Sequence, residues 1–168
     1  MAEPLRIGLV GAGRIVPAHL RGYAELRASG VDDFRITAIC SRDRQRALTY
    51  RKRDEGPPPA PPTTDRPDDA LGAPHRYVSD FQDDVLPEIY TDLGEMLAAG
   101  VVDAVDITTE VGLHHSQALA CLEAGLHVLV EKPLAISVRA GRRMVEAGWR
   151  WRSARTPTSS ATCGSPPG

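Results

Sequence analysis

Gly11 and Gly13 form a Gly-x-Gly turn directly behind the apolar run Leu5–Val10. Three other short apolar runs end on Ser41-Arg42, on Thr108-Thr109-Glu110 and on Glu131-Lys132-Pro133. The glycine pair suits phosphate chemistry. A strand, a Gly-rich turn and a helix bring a pyrophosphate to a helix N-terminus, where N–H groups are unpaired and the dipole favours negative charge. Gly11 takes the tight turn, and Gly13 has no Cβ to block a phosphate. Arg14 and Ile15 open the following helix and belong to the same candidate site. Val16 occupies the third position of Gly-x-Gly-x-x-Gly. The fingerprint is therefore incomplete, and the pair alone is equally compatible with a turn that binds nothing.

The elements that must position these groups follow an alternating pattern. Leu5–Val10 reads as a strand buried on both faces, with a helix over residues 15–26 behind it. Phe34–Cys40 is β-rich and mostly apolar, and residues 45–50 begin a polar helix. Residues 51–74 are rich in proline and charge and read as an exposed loop inserted into this rhythm. Residues 75–90 carry aromatics that should pack back toward the sheet edge. Asp92 and Glu95 have the spacing of a helix start, and Gly100 its stop. Strands over 101–107 and 126–130 alternate with helices over 115–124 and 138–147. Strand and helix in this order predict an α/β fold, a doubly wound and mostly parallel sheet whose ligands bind at the strands' carboxyl ends. All four chemically notable sets lie at such ends.

The totals exclude several classes. The 168 residues are 42% hydrophobic and 25% charged, with a formal net charge of −2, so neither a nucleic acid nor an anionic membrane is the expected partner. No apolar run reaches the length of a membrane span. Cys40, Cys121 and Cys163 lack metal-type spacing, and no metal site is expected. An odd number of cysteines without a leader segment is the pattern of a reduced, cytoplasmic protein. Residues 148–168 hold both tryptophans beside arginines and contain no Asp or Glu. They read as a disordered tail behind a domain of residues 1–147.

The sequence resembles the glucose–fructose oxidoreductase/inositol dehydrogenase family, also called Gfo/Idh/MocA. The resemblance rests on GLVGAGRIVPAHL, YTDLGEML, VDAVDITT, HHSQALACLEAGLHVLVEKPLA and VRAGRRMVEAG. Its most specific part is the run from Leu122 to Pro133. The match covers about residues 4–147, with the proline-rich stretch as an insertion. It implies a Rossmann domain that binds NADP or NAD. It also implies hydride transfer to or from a sugar-like or cyclitol hydroxyl, and oligomers are compatible with the full-length family. Lys132 carries over as the catalytic lysine that orients or protonates the reacting oxygen. Glu131 supports its loop, and His114 matches the family's helix-start histidine. Thr108 and Thr109 match the loop facing the nicotinamide, although Glu110 replaces a frequent proline.

An acidic residue near the end of the second strand accepts bonds from the ribose 2′-OH of NAD. Ser41 and Arg42 stand there instead, and a guanidinium suits a 2′-phosphate. NADP is the preferred reading, with Asp43 arguing for NAD. The family pattern stops near Ala147, short of the second α/β domain that carries its Asp-x-x-x-His pair. The expectation is that the C-terminal substrate domain is missing and that residues 148–168 are the frameshifted end of a longer gene. A nucleotide-binding module without turnover is the competing reading.

Overall fold

In the computed structural model, residues 3–66 and 69–155 are described. Five strands, β1 (Leu5–Val10), β2 (Phe34–Cys40), β3 (Glu88–Tyr90), β4 (Ala104–Ile107) and β5 (His127–Val130), form one sheet. Their order is β3-β2-β1-β4-β5, and every adjacent pair is parallel. The helices are α1 (Val16–Ala28), α2 (Arg44–Arg51), α3 (Leu93–Ala99), α4 (Val111–Glu123) and α5 (Val138–Arg155). This is the doubly wound Rossmann arrangement, with β1 central and the chain reversing direction across the sheet between β3 and β4.

Two cores follow from the alternation of side chains along the strands. Leu9, Ile36 and Ile39 pack with Val16 and Leu20 of α1 and with Ala47 and Tyr50 of α2. Val10, Ala38, Val105 and Ile107 pack with Met96 of α3, Ala118 and Cys121 of α4, and Met144 of α5. Both faces of β1 are covered, which explains its nearly uninterrupted apolar run. Asp43 caps α2, accepting from the Gln45 and Arg46 N–H groups at 2.9 and 3.4 Å. Asp92 caps α3 through the Glu95 N–H at 3.0 Å, and Gly100, at φ +64°, closes it.

Several elements differ from their sequence-based expectations. Glu88–Tyr90 is a strand, paired in register with Ala38, Ile39 and Cys40. Beyond its reach, the Gln82 side chain completes the edge of β2. The Ile36 N–H donates to Gln82 Oε1, and Gln82 Nε2 donates to the Ile36 carbonyl, both at 2.9 Å. Helix α4 begins at Val111, which places His114 inside its first turn. Helix α5 runs past Ala147 to Arg155. Trp151 on that extension sits edge-on against His127 of β5, with ring centroids 4.4 Å apart. This contact anchors a stretch whose composition alone reads as tail, and His127 itself lies exposed on the edge strand. The rest of the expected tail, residues 156–168 with Cys163, lies outside the described residues.

The proline-rich stretch is also shaped by contacts. A Cβ on Gly56 would stand 2.4 Å from the Thr49 nitrogen, so the chain presses directly on α2. Val78, in a short 3-10 turn after the insertion, is fully buried. Among the described residues no helix is long and apolar enough to cross a membrane, and no cluster of His, Cys, Asp and Glu is placed to hold a metal.

Cys40 and Cys121 are buried free thiols. Burial pushes Cys40 up to about 11 and Cys121 up to about 12. Thiolates are the reactive form, so both should resist an aromatic disulfide reagent at mildly alkaline pH in the native protein and react promptly in denaturant. Rapid native labelling at either position, located by mass spectrometry, would contradict this packing.

Candidate functional site

The carboxyl ends of β1, β2 and β4 open onto one cleft of about 770 Å³. Gly11, Gly13, Arg14, Ile15, Ser41, Arg42, Thr108 and Thr109 all line it. Its floor is held by backbone bonds between strand ends. The Gly11 N–H donates to the Cys40 carbonyl at 2.9 Å, and the Thr108 N–H donates to the Val10 carbonyl at 2.8 Å. Gly11 has φ +116°, and a Cβ there would lie 2.9 Å from the Thr108 carbonyl carbon. It is the residue that lets the turn pass under the β4 end.

Gly13 has a different job. A Cβ there would find only the Thr108 carbonyl oxygen within 4 Å, at 3.7 Å, so the protein itself has room for a side chain. The space it leaves belongs to the cleft. Behind the turn, Tyr50 OH donates to the Gly13 carbonyl at 3.0 Å and fixes its position. No side chain caps the N-terminus of α1. Its Val16 and Ala18 N–H groups donate to the Gly13 and Ile15 carbonyls at 3.3 and 3.0 Å, so what the helix start offers an anion is its dipole. A Cβ-free cradle and an uncapped helix start fit a pyrophosphate.

At the end of β2, Ser41, Arg42 and Asp43 all line the cleft. Asp43, the residue that argued for NAD, is engaged as the α2 cap. Arg46, one turn into α2, also lines the cleft. Its Nε lies 3.6 Å from Asp43 Oδ2, and its side chain is mostly exposed. Sequence reading passed over Arg46. Its signal was the five-residue spacing from Ser41, which only a capped helix turns into proximity.

His114, Glu131 and Lys132 stand outside this lining. His114 is buried, with Nδ1 at 3.1 Å from the Pro133 carbonyl and Nε2 at 3.0 Å from the Thr109 carbonyl. Its ring therefore bridges the β4 turn to the loop after β5. Glu131 continues from β5, its N–H donating to the Ile107 carbonyl at 2.9 Å. Its Oε2 accepts from the Lys132 N–H at 2.8 Å, and its Oε1 lies 3.2 Å from His19 Nε2. Lys132 is exposed at the head of the loop, next to a cis Lys132–Pro133 bond.

His19 belongs to α1. It sits between two carboxylates, with Nδ1 2.7 Å from Asp106 Oδ2. Tyr23 OH donates to the same Asp106 oxygen at 3.0 Å. The Asp106 hydrogen bond pulls the His19 pKa above its ordinary value, against the opposing effect of burial, and Glu131 adds to the rise. Burial raises the Tyr23 hydroxyl as well, with Asp106 contributing.

The sequence pattern of the oxidoreductase family with an NAD-binding Rossmann fold matches residues 5–149. The chain belongs to the Gfo/Idh/MocA oxidoreductase family. Among its relatives, 4-carboxy-2-hydroxymuconate-6-semialdehyde dehydrogenase of Sphingobium is 33% identical over 79% of this chain and 31% of its own length. The scyllo-inositol 2-dehydrogenase (NADP(+)) IolU of Bacillus subtilis is 27% identical over 85% of this chain and 33% of its own length. The WlbA dehydrogenase of Bordetella pertussis, solved with NADH and UDP-GlcNAcA, superposes with a TM-score of 0.61 at 26% identity. That match covers 90% of this chain and 34% of the other. The chain thus spans about a third of the length of these relatives. Within the Gfo/Idh/MocA domain, the cleft lies outside the carboxyl ends of the strands, where open α/β sheets bind their ligands. The loop bearing Lys132 sits beside it, joined through His114 to Thr109.

Proposed function

We propose that this domain binds a nicotinamide dinucleotide, NADPH in preference to NADH, for hydride exchange with a carbon bearing a sugar-like or cyclitol hydroxyl. The observation that carries the reading is the cleft at the strand ends, with Gly13 opening it and Arg42 and Arg46 at its β2 side. The cofactor, when bound, supplies the hydride acceptor or donor. Gly11 and Gly13 with the start of α1 hold the pyrophosphate. Ser41 and Arg42, joined by Arg46, face the adenosine ribose, where guanidinium groups favour a 2′-phosphate and a carboxylate would repel it. Thr108 and Thr109 form the wall nearest the nicotinamide.

Lys132 is the residue that handles the proton of the reacting hydroxyl at its Nζ. The substrate class rests on relatives such as the inositol dehydrogenase of Bacillus subtilis and the UDP-GlcNAcA-bound dehydrogenase of Bordetella pertussis. The decisive measurement is a fluorescence titration with both reduced cofactors. NADPH should bind more tightly, and Arg42→Ala should narrow the gap by about tenfold, the worth of one charge-assisted contact. Equal affinities in the unaltered chain would remove the NADP preference. Binding without any change in nicotinamide absorbance on adding sugars or inositols would assign a binding module instead.

A further inference from the structure

His19 joins three elements that are remote in sequence. It lies on α1, its Nδ1 meets Asp106 of β4 at 2.7 Å, and its Nε2 meets Glu131 at the end of β5 at 3.2 Å. The other Glu131 oxygen accepts from the backbone N–H of Lys132 at 2.8 Å. Glu131 is thereby held at both oxygens, one by the helix and one by the residue it precedes. Asp106 is 1% exposed and takes the Tyr23 hydroxyl as a further donor, so it is a fixed anchor.

We propose that His19 is a positioning residue for Lys132, tying Glu131 to the buried Asp106 and so setting the direction of the loop that presents the lysine. The proposal rests on the reading of Lys132 given above. The chemistry of the tether is specific. Two carboxylate oxygens face the two ring nitrogens, and both contacts become hydrogen bonds only when each nitrogen carries a proton. The charges acting on the ring are those of Asp106 from β4 and Glu131 from the β5 end, with Tyr23 beside them on α1. Both carboxylates favour the imidazolium, which holds the tether to higher pH than an ordinary histidine would. Loss of the Nε2 proton would set a ring lone pair against Glu131 and release it. The Lys132 N–H then loses its fixed acceptor.

The test is a pH titration of the isotope-labelled 168-residue chain by NMR. It reads the His19 ring nitrogens and the Lys132 backbone amide together. The Lys132 amide should shift along the same curve as the ring, and His19→Gln should abolish that inflection. A Lys132 amide that stays still while His19 titrates overturns the proposal, as does an inflection that survives in His19→Gln. Should His19→Gln fail to fold, Glu131→Gln replaces it, because the amide keeps an acceptor for the Lys132 N–H without the charge. There the His19 midpoint should fall and the Lys132 inflection shrink, and an unchanged midpoint overturns the tether. A parallel NADPH titration separates the two readings. Failure to bind cofactor would strike the proposed function and leave the NMR result standing on its own.

Discussion

Gly13→Ala should weaken NADPH binding by roughly ten- to hundredfold while leaving stability nearly unchanged, and Gly11→Ala should do the reverse, unfolding the domain first. The two glycines stand two residues apart and face different neighbours. At Gly13 the nearest atom to an added Cβ is the Thr108 carbonyl oxygen at 3.7 Å, an ordinary contact. The methyl group would occupy cleft space that a phosphate needs. Hydrogen bonds to a charged group contribute about 1.5–3 kcal/mol each, which sets the tenfold to hundredfold scale. At Gly11 the added Cβ would meet Thr108 Oγ1 at 2.8 Å and two backbone atoms of the β4 turn at 2.9 and 3.0 Å. Backbone cannot yield as a side-chain end does. Overpacking of this kind costs about 1–3 kcal/mol. The φ of +116° adds strain of about 1–3 kcal/mol for any residue with a Cβ. Urea denaturation beside a cofactor titration reads both quantities. Equal stability losses in the two variants would show that the glycines do not divide the work this way.

Asp106→Ala should cost about 1–3 kcal/mol, the usual penalty for leaving hydrogen-bonding groups without their partner. The carboxylate is almost fully enclosed and receives both His19 and the Tyr23 hydroxyl. Its loss removes the shared acceptor of His19 Nδ1 and the Tyr23 hydroxyl and leaves His19 with Glu131 alone. Domains of this size are stable by about 5–15 kcal/mol, so the variant should be largely unfolded well below the wild-type denaturation midpoint. Asp106→Asn keeps the shape and one acceptor and should lose less. The same cluster gives stability a pH dependence with a definite sign. The His19 pKa is raised above its ordinary 6.5 in the folded chain, with the Asp106 hydrogen bond as the first cause. The folded state therefore binds the proton more tightly than the unfolded state. Its contribution is fully present below the unfolded value and is lost as pH rises through the folded one. Denaturation midpoints of the wild type should fall from neutral into alkaline pH, and Asp106→Asn should flatten that slope. A loss under about 0.5 kcal/mol in Asp106→Ala, within the range of surface substitutions, would mean the cluster is not a stability element.

The proposed NADP preference turns on a residue whose meaning changed with the fold. Asp43 follows the second strand where a ribose-binding carboxylate would stand, but its oxygen accepts two N–H groups at the start of α2. The same cap turns α2 so that Arg46 reaches the cleft beside Arg42. One local hydrogen-bonding choice thus engages a cleft-lining carboxylate as a helix cap and sets a guanidinium beside it.

Local pattern was enough for the alternation of strands and helices, the parallel sheet, the Gly-x-Gly turn and the meeting of three strand ends at one cleft, while the fourth set, Glu131 and Lys132, stands outside its lining. Those properties are written within windows of a few residues, as apolar runs, helix caps and glycines, and a doubly wound sheet follows once they alternate. Eight of the residues singled out line a single cleft for that reason. Tertiary structure alone decided the rest. Glu88–Tyr90 becomes a strand because the open edge of β2 offers it hydrogen bonds, which three residues do not advertise by themselves. Helix α5 passes Ala147 because His127 of β5 gives Trp151 a ring to pack on. His114 is taken up between the Thr109 and Pro133 carbonyls by the approach of two loops. His19 lies 87 residues from Asp106 and 112 from Glu131 in sequence, and all three are adjacent only because α1 lies across the ends of β4 and β5. Separation of that order carries no periodicity to read. The contact exists because layers stack, and a half-buried imidazole then finds the two carboxylates that can hold its charge.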